Sequence, residues 1–505
     1  MTRVVSLNPA TNTERALEID ETSPQDVAVL CARASSIAAQ YGAWPLSRRA
    51  EMLRTMAAEL EADAASLVEV AMEETSLPRA RLEGELRRTA YQLRFFADVV
   101  VEGSFLQASI DHATNSPMGP LADLRRMKTP LGPVAVFGSS NFPFAFSVPG
   151  GDTVSALAAG CPVVIKAHPA HPATSQATFD ALERGAKIAG APEGVLGLVF
   201  GFDSGVALVD DPSIRAVGFT GSGPVGKALW ARANARPTPI PFFGELGAAN
   251  PLVVTAAAAA ERAETIGAGV AGSMTLGVGQ FCTKPGIVLV PNGEHGDALV
   301  EALVGALREL HEMTMLAPGI ARHFRDGATS IAESAGTRRL VGGDAEVGSQ
   351  ARAQLFEVSA ITFVEPSSRP LREECFGPLA VVVRYDDNEQ IRQALDIIDP
   401  SLTFSVFAAA DDPDATWLIA LGASKAGRVT FNEYPTGVGV SWSMQHGGPW
   451  PSTTSPATTS VGASGIERWL RPITFQGIPM DLLPEALKDD NPLGIPQRID
   501  GNYPG

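Results

Sequence analysis

Four cysteines stand far apart in this chain, Cys31, Cys161, Cys282 and Cys375, and one of them keeps unusual company. Cys282 lies in GVGQFCTKPG, at the end of an uncharged run from Thr265 to Thr283 dense in Gly, Ala and Ser. By itself such a thiol reads first as a small buried hydrophobe. Gly277, Gly279 and Gly286, however, let backbone approach closely, and a chain wrapped around a thiol can turn N–H groups toward a developing oxyanion. Glu245, in FFGELGAANP, is the only charge between Arg236 and Glu261. An apolar setting predicts a raised carboxyl pKa, which suits a general base near neutrality. The plainer reading is a carboxylate bonded to neighbouring backbone N–H groups. A third segment, FTGSGPVGKAL, reads as a strand ending in Gly221-Ser222 with Gly226 opening a helix. N–H groups at such a helix start favour phosphate, although a Gly-rich turn of this kind is often only a turn.

Groups so scattered need a large scaffold. The chain has 505 residues, of which 45% are hydrophobic and only 19% charged, enough apolar material for several cores and about three folding units. That balance excludes disorder as the dominant state. With 39 basic against 56 acidic residues the formal charge is −17, which argues against nucleic acid or an anionic membrane as partner. The cysteines show no CxxC spacing, so neither a disulfide framework nor a zinc site is expected, and no metal. Thr129 to Gly151 carries no charge over a membrane-spanning length. Pro130, Pro133, Pro143 and Pro149 would break a helix there, so no membrane span is expected. The first residues lack the pattern of a secretory signal, so a cytoplasmic location is the expectation.

The elements that must position these groups follow from periodicity. From Ser23 to about Val101 apolar residues recur three and four apart, predicting helices that start at Ser23-Pro24 and Ser47. Residues 103–128 read as a connecting strand or hairpin. GPVAVFG, CPVVIKA, GVLGLVFG and IRAVGFTGS are short β-branched runs separated by helical stretches, which predicts a doubly wound parallel sheet. A second α/β block follows from about Gly247 to Val440, with NPLVVT, GIVLVP, PLAVVVRYDD, LTFSVFA and GRVTFN as strands. Beyond Trp442 the chain is rich in Ser, Thr, Pro and Gly, ERWLRPITFQGIP resumes strand alternation, and the last residues read as a tail.

In this order FGSSNFPFAF, CPVVIKAHPA, GFTGSGPVG, GELGAANP, GQFCTKPG, EECFGP and GRVTFNEYP resemble the motifs of the aldehyde dehydrogenase superfamily, over nearly the whole chain. The resemblance implies an α/β fold with a Rossmann-like cofactor domain over residues 1–246, to which 103–130 contributes an oligomerisation hairpin. It further implies a catalytic domain over 247–445, and a substrate-side loop, oligomerisation strand and tail over 446–505. It implies Cys282 as nucleophile, Glu245 as general base and Asn141 as an oxyanion-hole amide, acting through a thiohemiacetal and a thioester. For the cofactor it implies Lys166 at the adenosine ribose, Ser139, Gly221, Ser222 and Gly226 along the dinucleotide, and Glu374 with Phe376 beside the nicotinamide ribose. Where many NAD-preferring relatives carry a Glu three residues after that Lys, this chain has Pro169. A 2′-phosphate then meets no like charge, so NADP is the expected cofactor, with NAD possible.

The stretch HGGPWPSTTSPATTSVGASGIERWLRPITFQGIP resembles the part of the superfamily that acts on α-ketoglutarate semialdehyde or on fatty aldehydes. The first is the expected substrate and a medium- or long-chain aldehyde the alternative. A homodimer or homotetramer is implied. A non-catalytic protein on the same fold is the reading from another class, and the joint presence of Cys282, Glu245 and Asn141 argues against it.

Overall fold

The computed structural model describes residues 2–343 and 348–503. The periodicity after Ser23 forms four helices, Pro24–Gly42, Leu46–Ala62, Ala64–Thr75 and Arg79–Glu102. The Ser23 hydroxyl accepts the Asp26 N–H at 3.2 Å, and Pro24 occupies a first-turn position whose missing N–H costs nothing. Ser47 does not start the second helix; it lies inside one that begins at Leu46, behind Pro45. Before the helices, Arg3–Asn8 and Thr13–Asp20 form an antiparallel hairpin. The second strand is mostly exposed and each strand buries a single residue, so neither shows the apolar alternation that announces a strand.

The four apolar runs and Phe242–Glu245 build a five-stranded parallel sheet. Across it the order is Phe242–Glu245, Ala216–Thr220, Val134–Phe137, Val163–Lys166 and Leu196–Val199. This is the doubly wound order. Its switch point falls between Val134–Phe137 and Ala216–Thr220, where the crossovers leave in opposite directions and a crevice opens at the carboxyl ends.

The second block forms a seven-stranded sheet in the order Arg338–Val341, Gln354–Ser359, Leu379–Tyr385, Ile287–Pro291, Pro251–Val254, Ser401–Phe407 and Ala426–Phe431. All neighbours are parallel except the first pair. Five of these strands follow the apolar runs. Arg338–Val341 and Gln354–Ser359 were not anticipated, because charged and polar residues interrupt them.

A third sheet joins distant parts of the chain. Ala108–Asp111 and Leu124–Pro130 pair as the expected hairpin, Leu470–Gln476 adds antiparallel along one edge and Gln497–Ile499 parallel along the other. The expected tail is therefore packed into the fold as far as Ile499. Leu487 and Ile495 are buried, and the buried Arg125 guanidinium binds Asp123, Asp489 and the Leu487 carbonyl. The uncharged stretch after Thr129 becomes the strand Val134–Phe137, a buried irregular turn and the start of helix Gly151–Ala159. Among the described residues no helix is long and apolar enough to cross a membrane.

Candidate active site

Cys282 follows the helix Ala256–Thr275 and a short turn, Leu276–Gly279. Gly277, Val278 and Gly279 all have left-handed backbone, with φ of 58°, 61° and 63°. A Cβ at Gly279 would lie 2.4 Å from the Gly377 carbonyl, so no other residue fits there. Val278, β-branched at positive φ, is strained, and the surrounding packing must hold it. The Asn250 amide secures the cysteine loop, donating to the Cys282 carbonyl at 2.7 Å and to the Lys284 carbonyl at 3.1 Å.

Glu245 ends the edge strand Phe242–Glu245 and is 4% exposed. The late Ser/Thr/Pro-rich segment pairs along this strand: the Leu246 N–H donates to the Ser452 carbonyl at 2.8 Å, and the Thr454 N–H to the Gly244 carbonyl at 3.0 Å. That pairing carries two further groups onto the carboxylate. Ser460 Oγ donates to Oε2 at 2.7 Å, and His446 Nε2 lies 3.0 Å from Oε1. The same His446 Nε2 lies 3.4 Å from Cys282 Sγ. His446 is fully enclosed, its N–H bonded to Thr459 Oγ1 at 2.8 Å.

These neighbours reverse one expectation. Burial pushes the Glu245 carboxyl up, but His446, Ser460 and the Cys282 thiol together hold it below its ordinary value, so it is ionised. The Cys282 thiol moves the other way: burial first, then the Glu245 and Glu374 carboxylates, push it well above the usual thiol range, against the pull of Arg428. The resting pair is thus a neutral thiol beside a carboxylate.

Asn141 directs its amide to the Gln280 carbonyl at 2.9 Å, two residues before the nucleophile. Next to it the Phe142 ring packs edge-on against Phe146 and Phe281, with centroids 5.2 and 5.0 Å away. Arg88 stands over Phe146, 5.2 Å from the centroid, and its Nη1 is buried without an acceptor among the described residues. Arg88 and Arg428 both lie within electrostatic reach of Cys282.

A cleft of about 890 Å³ runs from Cys282 to the switch point of the five-stranded sheet. Its walls include Ser139, Asn141, Gly221, Ser222, Glu245, Cys282, Glu374 and Phe376, so eight of the ten expected residues meet in one place. Ser222 precedes the helix Gly223–Ala235 without a capping hydrogen bond from its side chain, leaving first-turn N–H groups toward the cleft. The Ser139 hydroxyl is buried there without a partner among the described residues. Glu374 packs against Gly247, where a Cβ would lie 2.0 Å from its Oε2. Burial raises the Glu374 carboxyl to about 7 despite Lys284 nearby.

Two expected residues sit elsewhere. Gly226 is under Leu246 and Phe219, where a Cβ would come within 2.2 Å of Leu246 Cδ2; its role is to let helix and strand approach. Lys166 ends its strand outside the cleft wall, its ammonium pulled down to about 8 by burial and supported by Glu21. The exposed Glu21 thus corrects the premise drawn from Pro169: a carboxylate does stand within electrostatic reach of Lys166, supplied by a residue outside every motif.

The residue that sequence reasoning missed is His446. It stands in HGGPW, a segment without helical or strand periodicity. A usable signal exists, since Tyr434 to Ile466 contains no charged residue, the same property that marked the runs around Asn141 and Cys282.

Residues 2–473 match the aldehyde dehydrogenase family. Alpha-ketoglutaric semialdehyde dehydrogenase 2 of Azospirillum brasilense is 47% identical, over 94% of this chain and 91% of that one. Alpha-ketoglutaric semialdehyde dehydrogenase of Acinetobacter baylyi is 42% identical, over 90% and 87%. The crystal structure of aldehyde dehydrogenase 21 from Physcomitrella patens superposes with a TM-score of 0.80 at 21% identity, covering 95% of this chain and 96% of that one, a likeness of fold.

Proposed function

This chain belongs to the aldehyde dehydrogenase family, and from that premise we propose that it oxidises α-ketoglutarate semialdehyde to α-ketoglutarate, with NADP as preferred acceptor and NAD also accepted. It is an oxidoreductase acting on aldehydes with a nicotinamide cofactor. The observation that carries the mechanism is the meeting of Cys282, His446 and Glu245 at hydrogen-bonding distances.

The cleft fits a dinucleotide. The uncapped N–H groups after Ser222 and the helix field suit a pyrophosphate, and the unpaired Ser139 hydroxyl and Glu374 offer groups for riboses. When bound there, the nicotinamide supplies the acceptor for the hydride that leaves the aldehyde carbon. The chain supplies the rest. The Cys282 thiol attacks the carbonyl carbon as its proton passes to the ionised Glu245 carboxylate and on to solvent; His446 Nε2 donates to that same carboxylate and holds it in place. The second N–H of the Asn141 amide and the Cys282 backbone N–H stabilise the oxyanion. After oxidation Cys282 carries the acyl group as a thioester, and ionised Glu245, steered by Ser460 and His446, takes a proton from the water that releases the acid.

Arg88 favours the keto-acid substrate over an alkyl aldehyde. A buried guanidinium with a free Nη1 near Cys282 offsets a carboxylate at the far end of the substrate, whereas an alkyl chain gains nothing from it. A panel of α-ketoglutarate semialdehyde, succinate semialdehyde and a long alkyl aldehyde tests this. The first should give the highest kcat/KM, and Arg88→Met should lower it about 10- to 100-fold through KM while sparing the alkyl aldehyde. Preference for the alkyl aldehyde in the parent enzyme would overturn the substrate.

Lys166 and Pro169 support NADP, and Glu21 works against it. Glu21→Gln should therefore raise the NADP-to-NAD ratio of kcat/KM by about 3- to 10-fold, since one like charge near a phosphate is worth about 1 kcal/mol at a partly exposed site. An unchanged ratio would place the 2′-phosphate away from Lys166. We further assign the four-stranded sheet, with its open edges at Leu470–Gln476 and Gln497–Ile499, to homo-oligomer contacts.

A further inference from the structure

We propose that Glu245, Cys282 and His446 also form a site for a soft divalent cation of the zinc type, whose occupation and attack on an aldehyde exclude each other. The three offer a carboxylate oxygen, a thiol sulfur and an imidazole nitrogen, and these atoms all lie within 4.8 Å of one another. Sγ and Nε2 are 3.4 Å apart, and Nε2 and Oε1 3.0 Å. A tetrahedral zinc ion with bonds of about 2.0 to 2.3 Å holds its ligands about 3.3 to 3.6 Å apart, so the sulfur–nitrogen and nitrogen–oxygen edges need shifts of only a few tenths of an ångström. Three protein ligands with a fourth position left to water is the form of an open zinc site. Here the fourth position faces the cleft, whose wall includes both Cys282 and Glu245.

The spacing argument against zinc applied to CxxC pairs and does not reach a site assembled from three distant segments. An independent feature points the same way. His446 is wholly buried and its backbone is pinned by Thr459, which aims Nε2 at the cluster, while Nδ1, without a partner among the described residues, is the place for the ring proton when Nε2 binds the ion. The donor set also selects the ion. Magnesium and calcium take oxygen ligands and dehydrate reluctantly, whereas sulfur and imidazole suit zinc, cadmium or cobalt. Binding is a ligand exchange without redox change: the sulfur–hydrogen bond breaks and its proton leaves to solvent, the His446 ring proton moves from Nε2 to Nδ1, and the freed sulfur and Nε2 lone pairs bond the metal. The dication then neutralises a thiolate and a carboxylate in the same buried space. With its lone pair committed, Cys282 cannot attack, so the bound ion is a reversible inhibitor and a cap against alkylation.

The test uses the intact enzyme, purified metal-free, with cobalt(II) as spectroscopic probe. One equivalent of cobalt should give a near-ultraviolet sulfur-to-cobalt charge-transfer band that zinc abolishes and Cys282→Ala lacks. Zinc should inhibit competitively with aldehyde, slow iodoacetamide labelling of Cys282, and be reversed by chelator. His446→Ala should weaken cobalt binding by about 10-fold or more, and Glu245→Gln, which keeps the side-chain shape, offers the same readout if the first variant folds poorly. Absence of the band in the parent enzyme, or equal cobalt affinity in parent and either folded variant, would overturn the site.

Discussion

Replacing Cys282 by alanine is expected to reduce aldehyde-dependent cofactor reduction by about 10⁴-fold or more, the scale seen when a covalent nucleophile is removed. Cofactor affinity should hardly change, because the uncapped helix start after Ser222 and the groups around Ser139 and Glu374 do not depend on the thiol. Stopped-flow turnover together with fluorescence titration of the reduced cofactor measures both. Turnover within 10-fold of the parent would remove Cys282 from the mechanism. The raised thiol adds a sign to the expectation. With the resting sulfur protonated, iodoacetamide labelling of Cys282 should accelerate as pH rises through and above neutrality. A rate already flat at pH 6 would mean that His446 holds a preformed thiolate.

The second large effect concerns Glu245. Glu245→Gln keeps the shape but removes the charge that deprotonates water, so steady-state turnover should fall by about 10²- to 10⁴-fold. The first turnover should survive, because without the carboxylate to hold a proton on Nε2 the His446 ring can carry it on Nδ1 and present Nε2, 3.4 Å from the sulfur, as the acceptor. A pre-steady-state burst of reduced cofactor, close to one equivalent per site, followed by slow release of acid, is the expected trace. If the burst slows as much as the steady state, His446 does not replace the carboxylate as acceptor of the thiol proton. The two steps are separable because the thiol has both Glu245 and His446 beside it, whereas activation of water rests on the carboxylate.

Most of this site was legible in the sequence because its members sit in short segments whose composition already departs from the rest. Cys282 and Glu245 each stand alone in an uncharged, glycine-rich stretch, and the strand-helix alternation around them is strong enough to predict both large sheets. What was not legible came from contact between segments. His446 lies 164 residues from Cys282 and 201 from Glu245, in a stretch with neither helical nor strand periodicity. Glu21 ends an exposed hairpin that no apolar pattern marks, yet it reaches Lys166. The Glu245 pKa failed for the same reason: desolvation was predictable from local composition, whereas the imidazole and hydroxyl that outweigh it arrive from elsewhere. Gly226 was read as a phosphate turn because sequence cannot say which face of a helix a neighbouring leucine will fill.

The pairing of the late segment along Phe242–Glu245 fixes when, during synthesis, the enzyme first acquires its chemistry. By the time Phe431 has left the ribosome every strand of both large sheets exists, and Cys282 already has its loop. His446 and Ser460 do not. A nascent chain at that stage presents a carboxylate and a thiol without the imidazole that joins them, and the edge of its first sheet is still open. Activation is therefore among the final acts of folding, and loss of the chain beyond Phe431 should abolish activity outright, since it removes His446 and Ser460 together with the buried Ile466 and Trp469 that close the first core.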